Sequence, residues 1–247
     1  MSATVYEARV DHAKIDTAGR WNSGFIIVGV VLGALIAAGL VAAILSDMGW
    51  FTIAVAALGL AACTVSTVLA FRRRRALMLL VTGSDTALAL TDAEVRLAGA
   101  PAIPWSEIVF VGVLDDRQRS ARLQRLPLSG PLARASIKAG NGTLLCEIGV
   151  RDGAALKAAF QGDAGASRVT LFDAFEGPRR GLVPLMLDAV LDDATAHEAA
   201  RALIREASAR GIPAAEFEAV MAYFDWKGPM IDRKWPVDER KHDRGSL

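Results

Sequence analysis

"VLAFRRRRALML", Val68–Leu79, runs from the end of a long apolar stretch into four consecutive arginines. Three readings compete: a nucleic-acid patch, a processing signal, or the edge of a membrane. Upstream, from Trp21 to Phe71, the only charged residue is Asp47, which divides the stretch into "SGFIIVGVVLGALIAAGLVAAILS" and "WFTIAVAALGLAACTVSTVLAF". At a rise of about 1.5 Å per residue these predict helices of roughly 36 Å and 33 Å, long enough to cross a hydrocarbon core of about 30 Å. An arginine at the bilayer centre costs about 2.5–3.5 kcal/mol, so Arg72–Arg75 must end the second span. Arg9, Lys14 and Arg20 precede the first span, and the turn "DMG" carries no Lys or Arg. Basic residues stay on the cytoplasmic side, which predicts a two-span hairpin with both termini in the cytoplasm. Trp21 and Phe71 mark one headgroup level, Trp50 and Phe51 the other.

Composition agrees with that reading. Of 247 residues 53% are hydrophobic and the mean hydropathy is +0.32, so much of the chain must be buried in a solvent other than water. The net charge of +1 hides an asymmetry: residues 1–75 hold 7 Lys/Arg against 4 Asp/Glu, leaving 21 against 23 downstream. A slightly acidic domain does not suit the phosphate backbone, which argues against nucleic acid as a partner. The partner the arginines fit is the lipid bilayer, where Arg72, Arg73, Arg74 and Arg75 are candidate contacts to anionic headgroups. A cleaved signal peptide has a shorter apolar region and a shorter leader than this first span.

Gly29, Gly33 and Ala37 form a small-residue face on which another helix can pack closely, either the second span or the same helix of a homodimer. The spans lack the ionisable groups of a transport path, so they read as an anchor. Cys63 and Cys146 fall in different solvents, which argues against a disulfide.

Downstream the texture is that of short strands. "TALALT", "AEVRLAG", "AIPWSE", "IVFVGVLD", "RASIK" and "TLLCEIGV" carry alternating or β-branched apolar positions between turn residues. Asn141-Gly142 predicts a hairpin turn between Ile137 and Leu144. "RDGAALKAAF" predicts a helix capped by Asp152, with Ala155, Leu156, Ala159 and Phe160 as its buried stripe. The stretch "LALTDAEVRLAGAPAIPWSEIVFVGV", Leu88–Val113, resembles a family of bacterial membrane proteins that carry a pleckstrin-homology-like (PH-like) domain beside transmembrane pairs. The resemblance implies an antiparallel β-barrel over residues 77–161 closed by one helix, with Pro104 and Trp105 as its motif core. In lipid-binding PH domains the first hairpin is rich in Lys and Arg. Here it is the acidic "TDAE", so the resemblance implies a protein-interaction module rather than a phosphoinositide reader.

The remaining chain predicts a strand at "RVTLFDAF", helices at "LVPLMLDAVLDD", "ATAHEAARALIREASARG" and "AAEFEAVMAYF", and a mostly disordered end. In the second of these helices Ala199, Leu203, Ile204 and Ala207 make an apolar stripe. Trp226, Met230, Ile231 and Trp235 read either as a docking motif or as a loosely packed tail. The expected fold is therefore a membrane-anchored α+β chain. It divides into an N-terminal tail (1–22), spans at 23–46 and 50–71 around a turn (47–49), and a basic segment (72–76). The PH-like barrel (77–161), a helical extension (162–224) and the tail (225–247) follow.

No nucleotide-binding, hydrolase or kinase signature occurs, and "HEAAR" is not a zinc-protease motif. Asp193 and His197 share a helix face but lack a third ligand, so no metal, cofactor or catalytic residue is expected. The expected function is that of a non-enzymatic adaptor or scaffold for membrane or envelope proteins. The alternative is a low-specificity reader of anionic lipid through "RQRSARLQRLPLSGPLARASIK", whose Arg117, Arg119, Arg122 and Arg125 are candidate headgroup contacts, with Arg134 and Lys138 beyond.

Overall fold

The computed structural model describes residues 3–81, 85–127, 130–160, 163–174 and 176–235. Helix α1 (His12–Leu45) and helix α2 (Trp50–Val81) form an antiparallel hairpin. Both are long and apolar enough to cross a membrane, and the described chain leaves their apolar surfaces largely uncovered. Each outruns the apolar stretch read from the sequence. The arginines end the apolar surface but not the helix, because Arg and Leu are good helix formers and nothing before Val81 breaks the backbone. At the far end Asp47 takes the left-handed conformation (φ 49°) and Met48 N–H donates to Ala43 O at 2.9 Å, closing the turn.

Residues 4–9, expected as part of a tail, form strand β1 (Thr4–Arg9), which pairs antiparallel with β2 (Thr86–Thr91). With β3 (Glu94–Leu97) and β4 (Ile103–Pro104) they make a four-stranded antiparallel sheet in the order β1-β2-β3-β4. A second, five-stranded sheet has the order β7-β8-β6-β5-β9. Its strands are β5 (Ile108–Asp115), β6 (Leu144–Val150), β7 (Thr170–Phe172), β8 (Arg180–Met186) and β9 (Ala214–Phe217). The β5–β9 ladder is parallel and the others antiparallel. The expected closed antiparallel barrel is thus corrected to two open sheets, one of them mixed. The resemblance covered only the chain up to residue 161, and strands contributed from beyond it fill the second sheet.

Local readings changed with it. "RASIK", expected as a strand, belongs to helix α4 (Gly130–Lys138), which with α3 (Arg117–Gln124) forms an insert between β5 and β6. The Asn141-Gly142 turn therefore leads from a helix into a strand and is not a hairpin turn. "LVPLM" is strand β8, followed by the single turn α7 (Leu187–Val190). Pro184 lies opposite Glu147 of β6 and past the last residue paired with β7, so on that side its missing N–H leaves no ladder bond unmade. "AAEF" is strand β9, and α9 (Val220–Ile231) follows. The expected disordered tail is helical to Ile231, and residues 236–247 lie outside the described residues.

Helix α5 (Gly153–Ala159) starts as expected, with the Asp152 carboxylate accepting from Ala155 N–H at 2.8 Å, and it buries Leu156 and Phe160 but not Ala155 or Ala159. A short turn, α6 (Asp163–Ala166), precedes β7. Helix α8 (Asp193–Ala209) buries Ala199, Leu203 and Ala207, with Ile204 partly covered, and packs on both sheets at once. The main core is this joint: Leu88, Leu90 and Val95 from the first sheet, Val111, Ile148 and Val183 from the second, closed by Leu203. The other face of the second sheet holds Phe110, Glu147 and Leu182 and is covered by α9.

Candidate functional site at the base of the hairpin

The foot of α1 is built into the domain. The Asp11 carboxylate accepts from Lys14 N–H at 3.0 Å as N-cap, and Asp11 N–H donates to Val190 O at 2.8 Å. Lys14 Nζ donates to Leu191 O at 3.0 Å and to the Asp193 carboxylate at 2.8 Å. One and two turns on, Ile15, Ala18, Gly19 and Asn22 are buried, and Asn22 Nδ2 donates to Ala139 O at 2.7 Å. On the second helix Leu77 is buried, and Met78 lies against Gly19.

The insert lies beside this foot. Lys138 Nζ sits 5.4 Å from the Trp21 ring centroid, a cation–π contact between the end of α4 and the aromatic residue that marks the start of the apolar stretch. Arg117, Arg119 and Arg122 on α3, Arg125 just after it, and Arg134 on α4 are all exposed, as are Leu123, Leu126 and Leu132 between them. Arg72–Arg75 are exposed on α2. A cleft of about 620 Å³ opens between foot and insert, lined by Lys14, Thr17, Arg117, Lys138, Asp188 and Asp193.

Its charges already have partners. Arg117 chelates Asp115 (Nε to Oδ1 2.9 Å, Nη2 to Oδ2 2.5 Å). Burial would raise the Asp115 carboxyl, but the Arg117 hydrogen bonds outweigh it and hold it below its ordinary range. The Asp188 carboxylate accepts from Thr143 N–H and Oγ1 at 2.6 and 2.8 Å and from Leu144 N–H at 2.9 Å, fixing the entry to β6. His197 Nδ1 lies 2.7 Å from the Asp193 carbonyl rather than its carboxylate, so these two residues do not converge on one point. Among the described residues no group of three or more His, Cys, Asp or Glu could hold a metal ion.

In the hairpin, a Cβ on Gly29 would lie 2.1 Å from Thr67 Oγ1, and one on Gly33 3.7 Å from Cys63 Sγ; the Cys63 thiol donates to Gly29 O at 3.1 Å. The Gly29–Gly33 face is therefore turned toward α2. Pro104 is exposed on β4. Trp105 is buried; its Nε1–H donates to Thr91 O at 2.8 Å, and the Arg210 guanidinium lies over its ring at 4.5 Å. Trp226 packs edge-on against Phe110, Trp235 stacks on Phe224, and Ile231 is buried beside Leu182, so this aromatic set is used inside the domain.

A buried charge pair on the α9 face was not among the residues read from the sequence. The Glu147 carboxylate accepts from both Lys227 Nζ and Tyr223 OH; Glu147, Lys227 and Tyr223 are 7%, 6% and 1% exposed. Lys227 also lies over the rings of Tyr223 and Phe224 at 4.5 and 4.6 Å. Burial first, then the Glu147 charge, pushes the Tyr223 hydroxyl well above its ordinary range, so it stays a donor. Gly112 makes the site possible: a Cβ there would lie 2.5 Å from the Tyr223 ring. The signal that was there to read is the i, i+4 spacing of Tyr223 and Lys227, which puts both on one helix face.

Neither a family model, nor a curated protein, nor a solved structure matches the chain.

Proposed function

We propose that the chain crosses the plasma membrane twice with both termini in the cytoplasm, and that its two-sheet domain serves there as a non-enzymatic adaptor or scaffold for other membrane or envelope proteins. The observation that carries this reading is the join at the base of the hairpin. Asn22, Lys14 and Asp11 tie the first helix to α4, α7 and α8, so the domain has a fixed attitude to the bilayer and presents the same face to any neighbour. The resemblance of Leu88–Val113 to bacterial PH-like membrane proteins supports a binding role, without barrel closure. The orientation follows from the basic residues on both sides of the hairpin and their absence from its turn. A reporter fused after Leu247 should be active in the cytoplasm. A photo-crosslinker at Met221, exposed on α9, should join the chain to a discrete neighbour in native membranes. A reporter active only outside the membrane, or no crosslink from Met221, would sink the reading.

A second reading, lipid contact by the insert, is favoured by Lys138 on Trp21 and by the exposed leucines among the arginines. A spin label at Leu126 in nanodiscs containing anionic lipid should sit at headgroup depth and move into water when Arg119, Arg122 and Arg125 are changed together to Glu. A label equally wet in both chains removes the lipid reading.

A further inference from the structure

At the end of the second sheet farthest from the hairpin, a cleft of about 690 Å³ is lined by Trp105, Arg151, Arg180, Arg210, Ile212 and Asp92. Strand β5 is eight residues long, about 26 Å, and the insert leaves from its other end, so this cleft lies well away from the hairpin base. Its chemistry is that of misplaced positive charge. The β6–β8 ladder ends with Val150 opposite Gly181, so Arg151 and Arg180 flank its last pair, and both line the cleft. Two like charges this close repel one another. Among the described residues no carboxylate lies within ion-pair distance of either guanidinium. By contrast Arg210 is paired with Glu206 at 2.7 Å, and Arg117 with Asp115. Burial, and then the charge of Arg151, holds the Arg180 guanidinium below its ordinary range.

We propose that this cleft is an oxyanion site, in which Arg151 and Arg180 together clamp the phosphate group of a small soluble ligand. Two guanidinium forks match phosphate oxygens in geometry as well as charge. A dianion between them turns a mutual repulsion into two attractions. Trp105, held by its hydrogen bond to Thr91 and overlain by Arg210, forms a rigid wall, and Ile108, Val109, Ile212 and Pro213 offer an apolar seat for the remainder of the ligand. The distance from the hairpin base argues for a soluble ligand and against a headgroup of the same membrane.

The test uses the full chain in detergent, with inorganic phosphate and phenyl phosphate as probes and chloride at matched ionic strength as control. Phosphate should raise the melting temperature and give a calorimetric binding signal, phenyl phosphate should bind more tightly, and chloride should do neither. Arg151→Gln with Arg180→Gln should abolish the response while melting higher than the parent chain without phosphate, because the repulsion between the two guanidinium groups is gone. A merely structural role for the two arginines would lower it instead. Asp92→Asn, which removes the carboxylate lining the cleft, should tighten phosphate binding. The proposal fails if phosphate does not bind, if the double variant still binds it, or if phenyl phosphate binds no better than phosphate.

Discussion

Replacing Lys227 by methionine should lower the stability of the full chain in detergent by about 3–5 kcal/mol, the usual effect of stranding one charge of a buried pair. Glu147 has no water to turn to at 7% exposure, and Tyr223 OH alone would have to satisfy its carboxylate. The companion variant, Glu147→Gln together with Lys227→Met, is uncharged and keeps an acceptor for Tyr223. It should regain most of the loss, since a buried pair exchanged for neutral groups of similar size is often neutral overall. Chemical denaturation followed by tryptophan fluorescence reads both, because Trp226 lies on the same helix against Phe110. A loss below about 1 kcal/mol for the single variant would mean that the aromatic contacts of α9, and not the ion pair, fasten it to the sheet.

A comparable loss should follow Gly153→Val. A Cβ at Gly153 would lie 2.4 Å from both Cα and N of Gly181, main-chain atoms of β8 that no rotamer change can move aside. Gly153 N–H also donates to Arg179 O at 2.8 Å, so helix and strand are held together at the point where they would have to part. Overpacking costs about 1–3 kcal/mol when side chains can adjust, and a clash with backbone belongs at or above the top of that range. The expected result is a chain recovered mainly as aggregate, or one whose melting temperature falls by many degrees. Gly39→Ala, with open space around the new Cβ, should leave melting unchanged. Equal melting of Gly153→Val and parent would show that β8 and α5 do not approach as described.

What could be read from the sequence was what has a local cause. The apolar hairpin, the Asp152 cap, the strands at 86–91, 94–97 and 108–115, and the stripe of α8 all follow from periodicity or from one capping residue. What failed depended on partners distant in the chain. "LVPLM" resembles a helix until β6 is beside it, and Pro184 is admissible only because β7 stops short. "TVYEAR" becomes a strand because β2 offers it an edge. The hairpin reading of Asn141-Gly142 fails because of Asp188, distant in the chain, which receives the N–H groups of Thr143 and Leu144 instead. The candidate site divides the same way. The arginines of the insert were legible as a run of charge, but Arg151 and Arg180 meet in one cleft only once β6 and β8 lie side by side, and the Glu147–Lys227 pair forms only once α9 lies on the sheet.

If the chain is inserted as proposed, the pairing of β1 with β2 across the whole helical hairpin also sets an order of events during biosynthesis. In the proposed topology the first strand leaves the ribosome early, yet its ladder partner is made only after both spans. There the first sheet could not be completed until the second span had come back to the cytoplasmic side, because only then could residues 86–91 reach residues 4–9. In that topology, completion of the two-sheet domain is conditional on correct insertion. A chain whose second span stalled would leave β1 on one side of the membrane and β2 on the other, with Leu88 and Leu90 uncovered and an open strand edge to mark it for proteolysis.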